Sequence, residues 1–216
     1  MTASRAQLNE FKEALASEAG VYQVSISLEA IDRLVEYYSL LNTWNARLHL
    51  VAPCSPREFA TRHVLESLML LPQLPQGAKV ADIGSGAGLP IIPCLIARPD
   101  ITGTLIESSK KKAVFLREAL NCVKASESAT VVAERFEETP APEVDFITCR
   151  ALDRFESKLP ALLNWSPPTS TLLFFGSEGL RDQIVNLDLS FTEIRIPNSN
   201  RRFLFVIKGT NDHGVV

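Results

Sequence analysis

The chain has 216 residues, 46% hydrophobic and 22% charged, with 22 Lys and Arg against 25 Asp and Glu for a formal net charge of -3. Ten Gly and 13 Pro, scattered rather than clustered, exclude a disordered tail, a collagenous repeat and a coiled coil, and leave one compact domain with a small appendage. The balance of charge excludes a protein that holds nucleic acid through bulk positive charge, so any such role must rest on a local patch.

Residues 1 to about 75 read as helical. Leu8, Phe11 and Leu15 share one face of a first helix, and Ile31, Leu34, Val35, Tyr38 and Leu41 recur at helical spacing in a second, with Ser27 as its N-cap. A third segment from Pro56 to Leu71 carries Phe59, His63, Leu65 and Leu68 and stops at the rigid connector LPQLPQG. No segment approaches the roughly 18 apolar residues of a membrane span, and the charged N-terminus lacks the apolar core of a signal peptide. A cytoplasmic location is therefore expected, with Cys54, Cys94, Cys122 and Cys149 buried and unpaired. They form no CxxC pair and have no histidine at ligand spacing, so no metal is expected.

Beyond the connector, AKVADIG (78–84), TLIE (104–107), TVVAE (130–134), VDFITCR (144–150) and TLLFFG (171–176) read as buried parallel strands. Amphipathic stretches from Lys110 to Val123 and Phe155 to Trp165 lie between them, the rhythm of a doubly wound α/β sheet. LSFTEIRIP (189–197) and RRFLFVIKG (201–209) read as a terminal hairpin on the sheet edge, with Asn198 to Asn200 as its turn.

Asp82-Ile83-Gly84-Ser85-Gly86-Ala87-Gly88-Leu89 follows the first strand and opens a helix. Gly84, Gly86 and Gly88 let the chain turn sharply and let backbone N–H groups approach a ligand. A dinucleotide fingerprint wants a third Gly or Ala where this chain has Leu89, and Asp82 sits two before the first glycine. The segment thus departs from the nicotinamide pattern and resembles motif I of the class I S-adenosylmethionine-dependent methyltransferases. Glu107, at the end of the second strand, is either a ribose anchor or a capping residue for the turn that follows. Lys110, Lys111, Lys112 and Arg117 are either a solvated helix face or a phosphate-facing patch. Arg150, at the C-terminal edge of its strand, points into the crevice where such sheets bind ligands.

The resemblance extends further. DIGSGAGLPIIP, TLIESSKKKAVFLREAL, AERFEE and CRAL, with WNARLHL and RHVLESL upstream, are similar in that order to the bacterial small-subunit rRNA guanine-N7 methyltransferases, the glucose-inhibited division protein B type, over about residues 28–208. This implies a class I methyltransferase fold over residues 76–216, Rossmann-like with an antiparallel C-terminal hairpin, behind a helical extension over residues 1–75. It implies S-adenosylmethionine as cofactor, N7 of one guanine in 16S rRNA as target, the rRNA or the small ribosomal subunit as partner, and action as a monomer without membrane or metal. Asp82, Gly84, Gly86, Gly88 and Leu89 would make up the cofactor-binding turn, with Gly84 and Leu89 in contact with the cofactor, Glu107 at its ribose, and Phe136 and Glu137 at its adenine. Arg150 would lie at the cofactor or the incoming RNA, and Arg62 and His63 would be structural or RNA-facing. The chain departs from the family at Ile91, His49 and Val51, at Pro167 to Thr169 and at Phe174 to Gly176.

Guanine N7 has no proton to lose, so no catalytic acid or base is named; His49 and His63 qualify only by residue type. Arg154, Phe155 and Trp165 are candidates to hold a target base, with core packing the alternative for the aromatics. A methyltransferase of small molecules and a cofactor-fold binding module without turnover are the competing functions, and a nicotinamide oxidoreductase ranks below both. The positive charge gathers at Lys110 to Arg117, Arg150, Arg154, Arg195, Arg201, Arg202 and Lys208. A weak, salt-sensitive grip on bare RNA follows.

Overall fold

The structure of the protein is a computed structural model that describes residues 3–150 and 155–209. Helix α1 (Arg5–Glu18) starts in a capping box, in which Ser4 and Gln7 each bond the other's backbone N–H. Helix α2 (Leu28–Leu48) is capped by Ser27, whose Oγ accepts from Ala30 N at 3.1 Å. It ends at His49, which takes a left-handed conformation (φ 47°) as the C-cap. Helices α3 (Pro56–Glu58) and α4 (Glu66–Leu68) flank a π-helical run, Phe59–Leu65, the three forming one continuous stretch. The α1 and α2 stripes meet on Phe59, which packs against Phe11, Tyr37 and Tyr38, and Phe11 stacks on Tyr38 at 4.5 Å. Phe59 is fully buried, a side chain whose removal from water contributes roughly 1.5–3 kcal/mol.

The sheet comprises β1 (Lys79–Ile83), β2 (Thr102–Ile106), β3 (Ala129–Val132), β4 (Phe146–Arg150), β5 (Thr171–Gly176), β6 (Phe191–Arg195) and β7 (Phe203–Ile207), in the order β3-β2-β1-β4-β5-β7-β6. The first five strands are parallel, and β7 pairs antiparallel with both β5 and β6. The expected doubly wound sheet and edge hairpin are thus both present. Helix α5 (Ile91–Ala97) connects β1 to β2, α6 (Lys110–Cys122) connects β2 to β3, and α7 (Phe155–Trp165) connects β4 to β5.

Three local features differ from the sequence reading. Helix α8 (Glu178–Asn186), which buries Leu180 and Ile184, lies between β5 and the hairpin. The glycine turn does not run straight into a helix: it continues as turns to Pro90 before α5 begins at Ile91. Cys94 and Cys149 are buried as expected, but Cys54 and Cys122 are only half-buried. The period of two along the strands divides the core between the sheet faces. Val80, Leu105, Leu173 and Phe175 pack with α1, α2, α5 and α6, whereas Ala81, Ile83, Ile147 and Phe174 pack with α7 and α8. The N-terminal helices therefore share one continuous core with a sheet face.

Candidate active site

A cleft of about 590 Å³ lies at the C-terminal ends of β1, β2 and β4, the edge where open parallel sheets bind ligands. One wall is the glycine turn. Gly84, Gly86 and Gly88 all have positive φ (68°, 53° and 81°). The turn is tied to the next strand by Gly84 N and Ser85 N, which donate to Ile106 O at 2.9 and 3.2 Å, and it closes on itself where Gly88 N donates to Ser85 O at 2.6 Å. Gly84, Gly86 and Leu89 line the cleft.

Asp82 and Gly88 do not line it. A Cβ on Gly88 would sit 2.3 Å from Ile92 Cδ1, so this glycine permits the turn to pack on α5. Asp82 is wholly buried beneath the turn, with neither carboxylate oxygen hydrogen-bonded among the described residues. Burial pushes its pKa well above the ordinary carboxylate value. Tyr37, buried on α2, donates its hydroxyl to Ala87 O at 2.5 Å from behind the turn.

Glu107 holds the turn that follows its strand, as the capping reading expects, and it also faces the cleft. Its carboxylate accepts from Gly86 N at 2.9 Å and from Ser109 N at 2.7 Å, bridging the glycine turn to the start of α6. Ser109 itself caps α6. Phe136 is buried with its ring in edge contact with Trp165 (5.6 Å), whereas Glu137 is exposed, and Phe136 and Glu137 both line the cleft. Trp165 donates its indole N–H to Thr139 O at 2.7 Å and Phe155 packs edge-on to Phe174, so both aromatics pack internally. Arg154 lies outside the described residues.

The opposite wall comes from the helical region. Asn45 clasps Val51 through both backbone groups (3.1 and 3.0 Å) and so holds Leu50, Val51 and Ala52 against the cleft. His63 stands beside them, its ring 5.1 Å from Phe59. Arg150 reaches this wall from β4. It donates to Arg62 O, to His63 O and Ser67 Oγ (both 3.4 Å) and to Glu66 Oε2 (3.1 Å), and lies over the Phe175 ring at 5.5 Å. Glu66 is only 2% exposed and also pairs with Arg202, which enters from the hairpin. Arg150 and Arg202 therefore share the buried Glu66 rather than standing in a free surface patch, and Arg150 still lines the cleft. Desolvation drives the His63 pKa down to about 3, with Arg150, Arg62 and Arg202 adding to the shift, so the imidazole is neutral across the ordinary pH range.

Glu66, Tyr37 and the 50–52 wall were not singled out as site residues by the sequence reading. Lys112 and Lys158 also line the cleft, and only the first lies in the basic segment noted in the sequence. The family departures are absorbed by packing. Ile91 is buried against the β2 face, Phe175 supports Arg150, and Ser170 N closes a turn onto Pro167 O at 3.0 Å.

A family model described as rRNA small subunit methyltransferase G matches residues 30–200. The chain belongs to this family. A relative from Xanthomonas axonopodis pv. citri named ribosomal RNA small subunit methyltransferase G is 42% identical over 139 residues, 64% of this chain and 65% of that protein. One of the same name from Gluconobacter oxydans is 40% identical over 144 residues, 67% of this chain and 71% of that protein. The matched stretch thus spans just under two thirds of the length of the Xanthomonas relative. Among solved structures, an O-methyltransferase from Bacillus cereus in complex with SAH superposes with a TM-score of 0.59 at 16% identity, over 92% of this chain and 99% of that one. A SAM-dependent methyltransferase from Aquifex aeolicus gives 0.55 at 14% identity, over 70% and 93%. The family's fold is the class I methyltransferase fold. Among the described residues no helix is long and apolar enough to cross a membrane, and no group of three or more His, Cys, Asp or Glu could hold a metal ion.

Proposed function

We propose that this chain is an S-adenosylmethionine-dependent methyltransferase that modifies N7 of one guanine in 16S rRNA. The observation that carries this reading is the family match, placed on a cleft whose donor set suits the cofactor. Glu107 accepts only two hydrogen bonds among the described residues, of the roughly four its carboxylate can take, and so keeps capacity for ribose hydroxyls. Gly84, Gly86 and Leu89 bring backbone close to the ligand, Phe136 offers an apolar surface beside Glu137 for the adenine, and Arg150 provides a cation for the amino-acid end or the incoming RNA. Asp82 and Gly88 act from beneath, by shaping the turn. When bound, the cofactor supplies an electrophilic sulfonium methyl. The chain's own task is to hold the guanine in line with it, because N7 already carries an exposed lone pair and needs no general base; alignment alone can contribute ~7–11 kcal/mol.

In this reading residues 1–75 form a helical extension that furnishes the second wall of the cleft, and residues 76–216 form the cofactor-binding domain. The protein works in the cytoplasm as a monomer, on the rRNA or the small subunit. The test is incubation with labelled S-adenosylmethionine and unmodified 16S rRNA or small-subunit particles, followed by borohydride–aniline cleavage at 7-methylguanosine. Chain cleavage at one guanine is expected. Label in small metabolites with none in RNA would replace the reading by small-molecule methylation, and cofactor binding without transfer by a binding module.

A further inference from the structure

His63 lines the cleft, yet neither imidazole nitrogen has a hydrogen-bond partner among the described residues, and neither is sealed away from solvent. The ring is held by packing on Phe59. Its backbone carbonyl is fixed by Ser67 Oγ and by Arg150, so the side chain stands at a set place on the cleft wall. A neutral imidazole presents one N–H donor and one acceptor. Desolvation, with the three arginines around it adding to the effect, keeps it in that state and denies it the role of a proton acceptor at ordinary pH.

The glycine turn, Glu107 and Phe136 account for a cofactor along one side of the cleft. The wall of His63 and residues 50–52 is then what remains to meet the methyl acceptor. We propose that His63 contacts the acceptor base itself, donating an N–H to O6 on the guanine edge that also carries N7. On that edge N7 and O6 are neighbouring acceptors, so a donor fixed on O6 orients the N7 lone pair. Methylation leaves the base ring positively charged, and an uncharged donor adds no repulsion to that developing charge. This inference rests on the reading of the cleft as a guanine-N7 methyltransferase site.

The test compares wild type, His63→Phe and His63→Gln on unmodified small-subunit particles, with cofactor affinity measured separately by calorimetry. Phenylalanine keeps the packing on Phe59 and loses both nitrogens; glutamine keeps a donor. His63→Phe is expected to lower kcat/KM for RNA by about 10- to 100-fold, the worth of one lost hydrogen bond in a desolvated site, while cofactor Kd stays within about twofold. His63→Gln is expected to recover a substantial part of the rate. Transfer by His63→Phe at the wild-type rate would overturn the inference and leave the function intact. So would a parallel loss of cofactor affinity, which would place His63 in the cofactor cradle. If His63→Phe does not fold, His63→Met, which also removes both nitrogens, takes its place: a fall in kcat/KM for RNA with cofactor affinity unchanged is expected, and wild-type kinetics would overturn the inference. Failure of the wild type to methylate any RNA would instead remove the functional reading beneath it.

Discussion

The two walls of the cleft are built on different principles. The glycine wall is one contiguous stretch, residues 82–89, whose shape is set by backbone: three positive φ angles, an internal Gly88-to-Ser85 bond and two N–H groups tied to the adjacent strand. The helical wall is an assembly of distant pieces. Arg150 reaches Glu66 across 84 residues of sequence, and Arg202 reaches the same carboxylate across 136. The first wall is therefore tolerant of what surrounds it, while the second depends on a buried charge balance that a single substitution can upset.

Glu66→Leu tests that dependence most severely. Removing the carboxylate leaves Arg150 and Arg202 without their shared partner in a desolvated site, a change that typically costs about 3–5 kcal/mol. Urea unfolding should show a loss of that size, larger than for Arg62→Ala, whose pairing with Glu58 is at the surface. Equal losses in the two variants would mean that the helical wall does not lean on Glu66. Gly84→Val attacks the other wall. A β-branched residue at φ 68° strains the backbone where it lines the cleft, and cofactor affinity should fall by about 100-fold or more, ~2.8 kcal/mol, as read by calorimetry. Unchanged affinity would mean that the turn is not the cofactor's cradle.

The same contrast explains what the sequence makes legible. Strands β1–β5, the edge hairpin, the Ser27 cap and the glycine turn rest on local signals: apolar runs, period-two burial, small residues where φ is positive. Glu66 carries no such signal, because in RHVLESL it reads as an ordinary acid on a helix surface until the fold brings two arginines to it. The π-helical run is likewise invisible, since Phe59, Val64 and Leu65 satisfy an α-helical pattern equally well. His63 is flagged by residue type and by the resemblance of RHVLESL to the family; its place on the wall follows from Phe59 and Arg150. Helix α8 offered just Leu180 and Ile184 as a stripe, too short to stand out.

Asp82 separates the walls by pH. Its folded pKa is raised, so its contribution to stability is fully present below about 3.8 and is lost as pH rises through the folded value. Asp82→Asn cannot ionise. Its stability relative to wild type should therefore improve as pH rises above 4, with a slope of at most about 1.4 kcal/mol per pH unit. His63 pulls in the opposite sense: its depressed pKa makes stability fall as pH drops from 6.5 towards about 3, equally in both proteins, so the difference between them isolates Asp82. A pH-independent difference would show that the carboxylate finds a partner that restores its ordinary pKa.

Tyr37→Phe is the smallest and most pointed comparison, because this hydroxyl joins the two regions. Burial raises its pKa, so it remains a donor, and its bond to Ala87 O is the support that α2 gives the glycine turn. Removing one buried hydrogen bond should lower stability by about 1 kcal/mol. The peptide it holds is also fixed at its other end by Gly88 N on Ser85 O, and Glu107 secures Gly86 from the opposite side. If the turn is set by its own backbone, cofactor affinity in the variant should stay within about twofold of wild type while the unfolding midpoint falls. A tenfold loss of affinity at the same stability cost would break the distinction, and would make the glycine turn as dependent on the helical region as Arg150 is.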